Sequence, residues 1–173
     1  TDIIDKQKSP YAVSKKSMED FSRLYNKMYG LNILAFRFFT VYGPRGRPDM
    51  APYKFLNKIK NNIPIDKYGD GSSMRDYTYI DDIIEGLYGA IVNDIPGFEI
   101  FNLGNDAPVS TWDLVEHIEK FVGKKAKYKF EFSEIEVKKT WADISKSRNS
   151  LNYNPVTTFE QGMDKFLFWY KNR

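Results

Sequence analysis

Tyr11 and Lys15 stand four residues apart, directly after a Ser-Pro pair, in the stretch SPYAVSKK. Positions i and i+4 share one face of a helix, with Cβ atoms about 5–6 Å apart, so both polar heads can reach the same group. A tyrosine with an ordinary pKa of about 10 needs about 4 kcal/mol of help to act as a base at neutral pH. A lysine charge about 4 Å away, at an effective dielectric of about 20, supplies about that much. The spacing permits an acid–base couple, but by itself it is more often found on an ordinary surface helix.

A second group of residues follows an apolar run, in RFFTVYGPRGRPDM. Arg45, Arg47 and Asp49 lie in its Gly- and Pro-rich part, which is typical of a loop. Loops at the carboxyl ends of strands bind ligands in open α/β sheets, and arginines there favour an anion. The alternative interpretation is a solvated surface loop.

A third candidate is Arg75, which opens a strand-like segment after the turn GDGSS. Its planar fork of N–H donors suits a diphosphate, and the alternative is a salt bridge at a strand edge. Asp81 and Asp82 indicate a helix start rather than a metal site. Cysteine is absent and His117 is the only histidine, so we expect no metal site.

Composition narrows the class of protein. The chain has 173 residues, 42% hydrophobic and 28% charged, with a formal net charge of +3, as in one soluble globular domain. The basic residues are scattered, which argues against nucleic-acid binding. No apolar run approaches the roughly 18 residues of a membrane span, and the first residues are not signal-like. We therefore expect a cytoplasmic protein that binds neither nucleic acid nor membrane.

Helical and strand patterns alternate along the chain. Ser9 predicts a cap and Gly30 a stop for a helix over residues 10–29, and NILAFRFF predicts a buried strand before a loop that begins at Thr40. Further helices are predicted over residues 51–61, 110–122 and 157–172. Two more helices are predicted to begin after Asp81 and after Asp143, each of which would act as the N-cap. Further strands are predicted over residues 65–68, 75–80, 98–104 and 127–132. This alternation predicts an α/β fold with parallel pairing.

Five segments carry a family resemblance in their order along the chain. They are SPYAVSK, RFFTVYGPRGRPDMA, MRDYTYIDDIIEGL, FNLGNDAPVS and TWADISKSRNSLNYNP. Together they resemble the extended short-chain dehydrogenase/reductase family of nucleotide-sugar epimerases, dehydratases and decarboxylases. The second segment is similar to the loop characteristic of UDP-glucuronate 4-epimerases. The resemblance extends over nearly the whole chain from Ser9 onward.

The resemblance implies an architecture. The chain would form the carboxyl-terminal part of an NAD(P)-binding Rossmann-like doubly wound sheet, with a small α/β substrate-binding lobe. Residues 1–50 would end the Rossmann-like domain and carry the Tyr-x-x-x-Lys helix. Residues 51–173 would be mainly the substrate lobe, with some segments returning to the sheet.

The resemblance also implies a mechanism with NAD as cofactor. Tyr11 would be the general base at the sugar 4-hydroxyl while hydride passes to NAD, and Lys15 would hold the nicotinamide ribose and favour tyrosinate. Both residues would therefore be catalytic and cofactor-binding. The 4-keto sugar would turn its other face, and the returning hydride would invert C4.

The remaining implied contacts are with a UDP-sugar. Thr40 and Arg47 match positions that hold the substrate carboxylate in glucuronate epimerases, and Arg75 would bind the diphosphate. Lys67 and Tyr68 would line the uracil and ribose site. Glu136 departs from the usual Gly-Asp pair of the relatives, but it could still accept from a ribose hydroxyl.

The resemblance leaves several expectations open. The family's glycine-rich NAD-binding half has no counterpart in these residues, so we expect that this chain alone neither binds NAD well nor turns over. UDP-glucuronate decarboxylase and UDP-glucose or UDP-N-acetylglucosamine 4-epimerase are the alternatives within the enzymes. A non-catalytic nucleotide-sugar binding or interaction fragment is the alternative of another class. Relatives form a homodimer through a four-helix bundle that uses the tyrosine-bearing helix.

Overall fold

A computed structural model describes Gln7 and residues 9–68, 72–131 and 139–173. The fold is mixed α/β, as predicted. In chain order its elements are α1 (Pro10–Tyr29), β1 (Ile33–Phe38), β2 (Thr40–Tyr42), α2 (Ala51–Lys60), β3 (Ile65–Tyr68), β4 (Met74–Tyr79), α3 (Ile80–Val92), β5 (Phe98–Leu103), β6 (Pro108–Ser110), α4 (Thr111–Val122), β7 (Tyr128–Glu131), β8 (Lys139–Thr140), α5 (Ser145–Leu151) and α6 (Phe159–Lys171). Within the described ranges, no helix is both long and apolar enough to cross a membrane.

Helix α1 begins and ends where the sequence predicts. The Ser9 hydroxyl accepts the Ala12 N–H at 3.1 Å, and Pro10 occupies the first turn, where a missing N–H costs nothing. Gly30 adopts a left-handed φ of 67° and donates its N–H to Asn26 O. All twenty residues of α1 are described, and none of them is buried.

Strands β1 and β5 pair in parallel, with Ile33 opposite Phe98 and Phe38 opposite Leu103. The two strands are far apart in sequence, and the intervening segment crosses between them and ends in α3. A parallel pair with a helical crossover is the unit from which Rossmann-like sheets are built.

A second sheet is organised around β4. Strand β2 pairs with β4 in parallel, β6 pairs antiparallel and β8 pairs in parallel. The predicted loop start at Thr40 is wrong, because residues 40–42 form β2, with Thr40 opposite Tyr77. Strands β3 and β7 form a separate parallel pair.

Among the residues that the structure describes, the buried apolar side chains form two clusters. The larger one lies between the β4 sheet and helices α2, α4 and α6, and the smaller one joins β5 to α3 and α5. The last predicted helix, over residues 157–172, is confirmed as α6, and its buried residues include Phe159, Met163, Phe166 and Tyr170.

Two predicted helix caps need correction. Helix α3 begins at Ile80 with Tyr79 as its N-cap and without a side-chain cap bond, so Asp81 lies in the first turn and is not the cap. Helix α5 has Ile144 at the cap position, although the Asp143 carboxylate one residue earlier accepts the Ser145 N–H at 3.0 Å. Helix α3 follows β4 directly, with no residue between the strand and the helix.

Candidate functional site

The orientation of α1 on the β1–β5 pair shows which ends of the strands lie next to the first turns of the helix. Glu19 of α1 pairs with Arg37 near the end of β1, whereas Arg23 lies over the Phe98 ring at the start of β5. Moving towards the amino terminus of α1 therefore means moving towards the carboxyl ends of β1 and β5. Tyr11, in the first turn, lies beyond that edge, which is where open α/β sheets bind ligands.

The pair that holds α1 on the sheet is well formed. Arg37 donates Nε and Nη2 to the two carboxylate oxygens of Glu19, at 2.7 and 2.8 Å. These hydrogen bonds lower the pKa of Glu19 against the opposing effect of burial. A bidentate, half-buried pair of this kind fixes the orientation of α1 more firmly than a flexible lysine would.

Tyr11 and Lys15 lie on one face of α1, as the spacing predicts. The Lys15 ammonium is 5.6 Å from the centre of the Tyr11 ring. The Tyr11 side chain is open to solvent, at 71% exposure. The structure therefore brings a phenol and an ammonium together on an accessible surface at the carboxyl edge of the β1–β5 pair.

Arg47 lies in the loop after β2 and is held by Asp49. Its Nε and Nη2 donate to the two Asp49 oxygens at 3.1 and 2.5 Å. The hydrogen bond to Asp49 and the charge of that carboxylate raise the pKa of Arg47, and the Tyr11 phenol adds to the effect. The hydrogen bond from Arg47 in turn lowers the pKa of Asp49. Both oxygens of Asp49 therefore accept from the guanidinium fork that a ligand carboxylate would use.

Thr40 and Arg75 are placed in neighbouring strands. Thr40 opens β2 opposite Tyr77 of β4, and Arg75 lies two residues before Tyr77 in the same strand. Alternate residues of a strand share one face, so Arg75 and Tyr77 are on the same side of β4. Arg75 Nη1 donates to Met74 O at 2.9 Å, which draws the guanidinium back along its own strand.

A shallow cleft follows the carboxyl end of β2. It is lined by Val41, Tyr42, Gly43, Gly46, Arg47, Met50, Pro52, Tyr53 and Phe166. Gly43 has a φ of 152°, and a Cβ there would lie 2.5 Å from Cγ2 of Ile80, so no larger residue fits this turn. The glycine allows the chain to turn from β2 into the Arg47 loop directly beside α3.

Two tyrosines near the site are unsuited to act as bases. Burial raises the pKa of Tyr42, whose hydroxyl donates to Phe159 O at 3.0 Å. Burial also raises the pKa of Tyr77 to about 12. Both keep their protons near neutral pH and contribute to the core.

The structure describes less of the residues that are predicted to contact the uracil and ribose. Lys67 and Tyr68 end β3, opposite Phe130 and Glu131 of β7, in a strand pair separate from the β4 sheet. Glu136 lies outside the described residues. The structure thus brings Tyr11 and Lys15 together and puts Thr40 and Arg75 in adjacent strands. The ligand contacts predicted for all eight site residues stay predictions.

Sequence reasoning missed two buried carboxylates. Asp76, next to Arg75, is 1% exposed, and Asp82 accepts the N–H groups of Val156 and Thr157, both at 3.2 Å. The signal was present for Asp76, because a charged residue inside a strand as aromatic as RDYTYI needs hydrogen-bond partners when it is buried. The backbone N–H partners come from segments distant in the chain and cannot be identified from the sequence.

A parallel β1–β5 pair joined by a helical crossover, with α1 packed on it, is a Rossmann-like arrangement. The chain belongs to the NAD dependent epimerase/dehydratase family, whose model matches residues 1–104.

Comparison with individual proteins narrows the similarity within the family. A UDP-glucuronate 4-epimerase of Thermodesulfobacterium geofontis is 44% identical over 170 residues, covering 97% of this chain and 52% of the relative. UDP-glucuronate 4-epimerase 1 of Arabidopsis thaliana is 41% identical over 191 residues, covering 98% of this chain and 44% of the relative. The chain therefore spans about half the length of the curated relatives it matches.

A solved structure agrees with the sequence comparison. The UDP-glucuronic acid 4-epimerase of Bacillus cereus, in complex with UDP-glucuronic acid and NAD, is 37% identical and superposes with a TM-score of 0.90. The match covers 98% of this chain and 55% of that structure. The Rossmann-like assignment made from the sequence is confirmed.

Proposed function

We propose that this chain is the carboxyl-terminal, substrate-binding part of an NAD-dependent nucleotide-sugar epimerase that acts on UDP-glucuronate. The observation that carries the proposal is the Tyr11–Lys15 couple at the carboxyl edge of the β1–β5 pair. The similarity to UDP-glucuronate 4-epimerases over nearly the whole chain supports it.

The residues of α1 suit the proposed chemistry. Tyr11 would take the proton from the sugar 4-hydroxyl and later return it, and the Lys15 charge would favour the tyrosinate. An ammonium with three donors beside an accessible phenol also suits the hydroxyls of a nicotinamide ribose. NAD, when bound, supplies the acceptor and donor of hydride at C4. Inversion requires that the 4-keto sugar present both faces in turn, so the nucleotide must stay bound while the sugar turns between two poses.

The rest of the proposed site would hold the substrate. Arg47 and Thr40 would bind the uronate carboxylate, and Arg75 would bind the diphosphate through charge-assisted hydrogen bonds. A fixed carboxylate would discourage decarboxylation of the β-keto acid intermediate. Lys67, Tyr68 and Glu136 would serve the uracil and ribose, which completes the set predicted from the sequence.

The exposed apolar side chains of α1 support a larger assembly. Phe21 is 63% exposed and Met28 59% exposed, on a helix without a buried residue. Such a helix needs another surface to cover it. We infer that further parts of the epimerase, together with a second copy in a homodimer, cover α1 in the full-length enzyme.

The roles proposed for Arg47 and Thr40 support uronate epimerisation over the alternative activities. A UDP-hexose 4-epimerase has no substrate carboxylate for the Arg47 fork, and a decarboxylase must release the carboxylate that the fork would retain. Both features favour uronate epimerisation. A non-catalytic nucleotide-sugar binding fragment is the second candidate, because the chain spans about half the length of its relatives.

Titration of this chain with UDP and with NAD tests the proposal. Because the substrate-side residues lie in the chain and the glycine-rich turn does not, calorimetry is expected to detect UDP binding and no NAD binding. The Arg75→Gln variant is expected to weaken UDP binding by about tenfold, since it loses a charged donor. Tight NAD binding by this chain would contradict the proposal, as would failure to bind UDP.

A further inference from the structure

We propose that Asp76 is a positioning residue that sets the place of Arg75 relative to the α1 couple. The inference rests on the proposed function, because it assigns to Asp76 an effect on nucleotide binding through Arg75. Asp76 itself is turned away from that ligand, since successive residues of β4 point to opposite faces of the strand.

The Asp76 carboxylate is almost fully enclosed and fully hydrogen-bonded. Its Oδ1 accepts the Asn105 N–H at 2.8 Å and the Thr78 hydroxyl at 3.1 Å. Its Oδ2 accepts the N–H groups of Asp106 and Ala142, both at 3.0 Å. Four donors surround two oxygens, and three of the donors are backbone groups whose positions are fixed by the chain.

The donors come from three different segments. Thr78 belongs to β4 itself, residues 105 and 106 follow the end of β5, and Ala142 follows β8. The carboxylate therefore joins the β4 sheet, which carries Arg75, to the carboxyl end of the β1–β5 pair, on which α1 packs. A change at Asp76 is therefore expected to shift the β4 sheet relative to the β1–β5 pair.

Gly104 shows how closely the segments approach. A Cβ at this position would lie 2.7 Å from the Asp76 Oδ2 and would also meet the Ala142 side chain. Only a glycine lets the turn after β5 deliver two consecutive N–H groups to one carboxylate. Tyr153 adds a further fixed point, since its hydroxyl donates to Gly104 O at 2.8 Å.

The connection explains why the residue next to Arg75 matters for binding. A diphosphate is recognised by the planar guanidinium fork only at a defined distance and angle. A misplacement of about 1 Å costs up to about 100-fold in well-aligned sites. Asp76→Asn keeps the side-chain shape but turns an amide NH₂ towards backbone N–H groups, so the junction must open.

The chain offers a matched control. Asp82 is also buried and also accepts two backbone N–H groups, but its partners Val156 and Thr157 lie on a segment that does not carry a proposed ligand residue. Asp82→Asn should therefore lower stability without changing nucleotide affinity. Comparison of the two variants separates a structural effect from an effect on Arg75.

The test is a UDP titration of wild type, Asp76→Asn, Asp82→Asn, Arg75→Gln and the Arg75→Gln/Asp76→Asn double variant, at a temperature where circular dichroism finds each folded. We expect Asp76→Asn to weaken UDP binding by about tenfold and Asp82→Asn to stay within about twofold of wild type. Because Asp76 acts through Arg75, the double variant should bind no more weakly than Arg75→Gln alone.

The outcomes separate the two proposals. Wild-type affinity in Asp76→Asn, or a further tenfold loss in the double variant, would overturn the role of Asp76 and leave the proposed function standing. Failure of the wild-type chain to bind UDP would overturn the proposed function and this inference with it. If Asp76→Asn does not fold, Thr78→Val removes one of the four donors, and an affinity equal to wild type in that variant would also refute the inference.

Discussion

Tyr11→Phe is expected to lower kcat about 1,000-fold in the full-length enzyme that the proposal implies, with KM for UDP-glucuronate changed by less than about threefold. The substitution removes the hydroxyl that exchanges the proton with the sugar and leaves the ring beneath Lys15 in place. A loss of this size corresponds to about 4 kcal/mol of transition-state stabilisation. Steady-state kinetics with UDP-glucuronate measures it.

Tyr25→Phe is the matched control for this prediction. Tyr25 is an exposed tyrosine on the same helix, and its ring contacts Tyr29 rather than a proposed ligand residue. Its variant should retain kcat within about twofold. Equal losses in the two variants would mean that α1 tolerates no change and that Tyr11 has no special role.

Phe166→Ala is expected to reduce the free energy of unfolding of this chain by about 3–5 kcal/mol, the usual cost of emptying a fully buried aromatic site. Phe166 is 1% exposed and packs against Tyr53 and Trp169, with ring centres 6.1 Å away in each case. It also lines the cleft below the Arg47 loop. Urea unfolding followed by circular dichroism measures the change in stability.

Phe168→Ala provides the control within the same helix. Phe168 is 71% exposed, so its removal should change the free energy of unfolding by less than about 0.5 kcal/mol. If both variants lose similar stability, α6 does not bury the Phe166 face and expose the Phe168 face. If Phe166→Ala costs little, the larger core cluster is not packed as described.

The sequence predicts those features of the structure that depend on residues close together in the chain. Helix α1 has Ser9 and Gly30 at its ends, and α6 has a stripe of apolar residues at helical spacing, so both could be predicted closely. The Tyr11–Lys15 face follows from the same local geometry. These features depend on residues within one or two turns of each other.

The parts that could not be predicted depend on distant partners. Thr40 starts a strand only because β4 is available to pair with it, and its own neighbours Gly43 and Pro44 favour a loop. The backbone N–H donors to Asp76 and Asp82 lie at least 29 residues away, and nothing near the two carboxylates in the chain identifies those donors. The register that places Arg75 near the edge of the β1–β5 pair is likewise a tertiary property.

The most direct test of the proposed function follows the fate of the hydrogen at C4. The full-length enzyme is incubated with UDP-glucuronate in D₂O, and the products are analysed by proton NMR. We expect the C4 epimer of the substrate, with its carboxylate intact and its C4 hydrogen retained, because the hydride leaves and returns without exchange with solvent. Release of carbon dioxide, deuterium at C4 or an unchanged substrate would contradict the account.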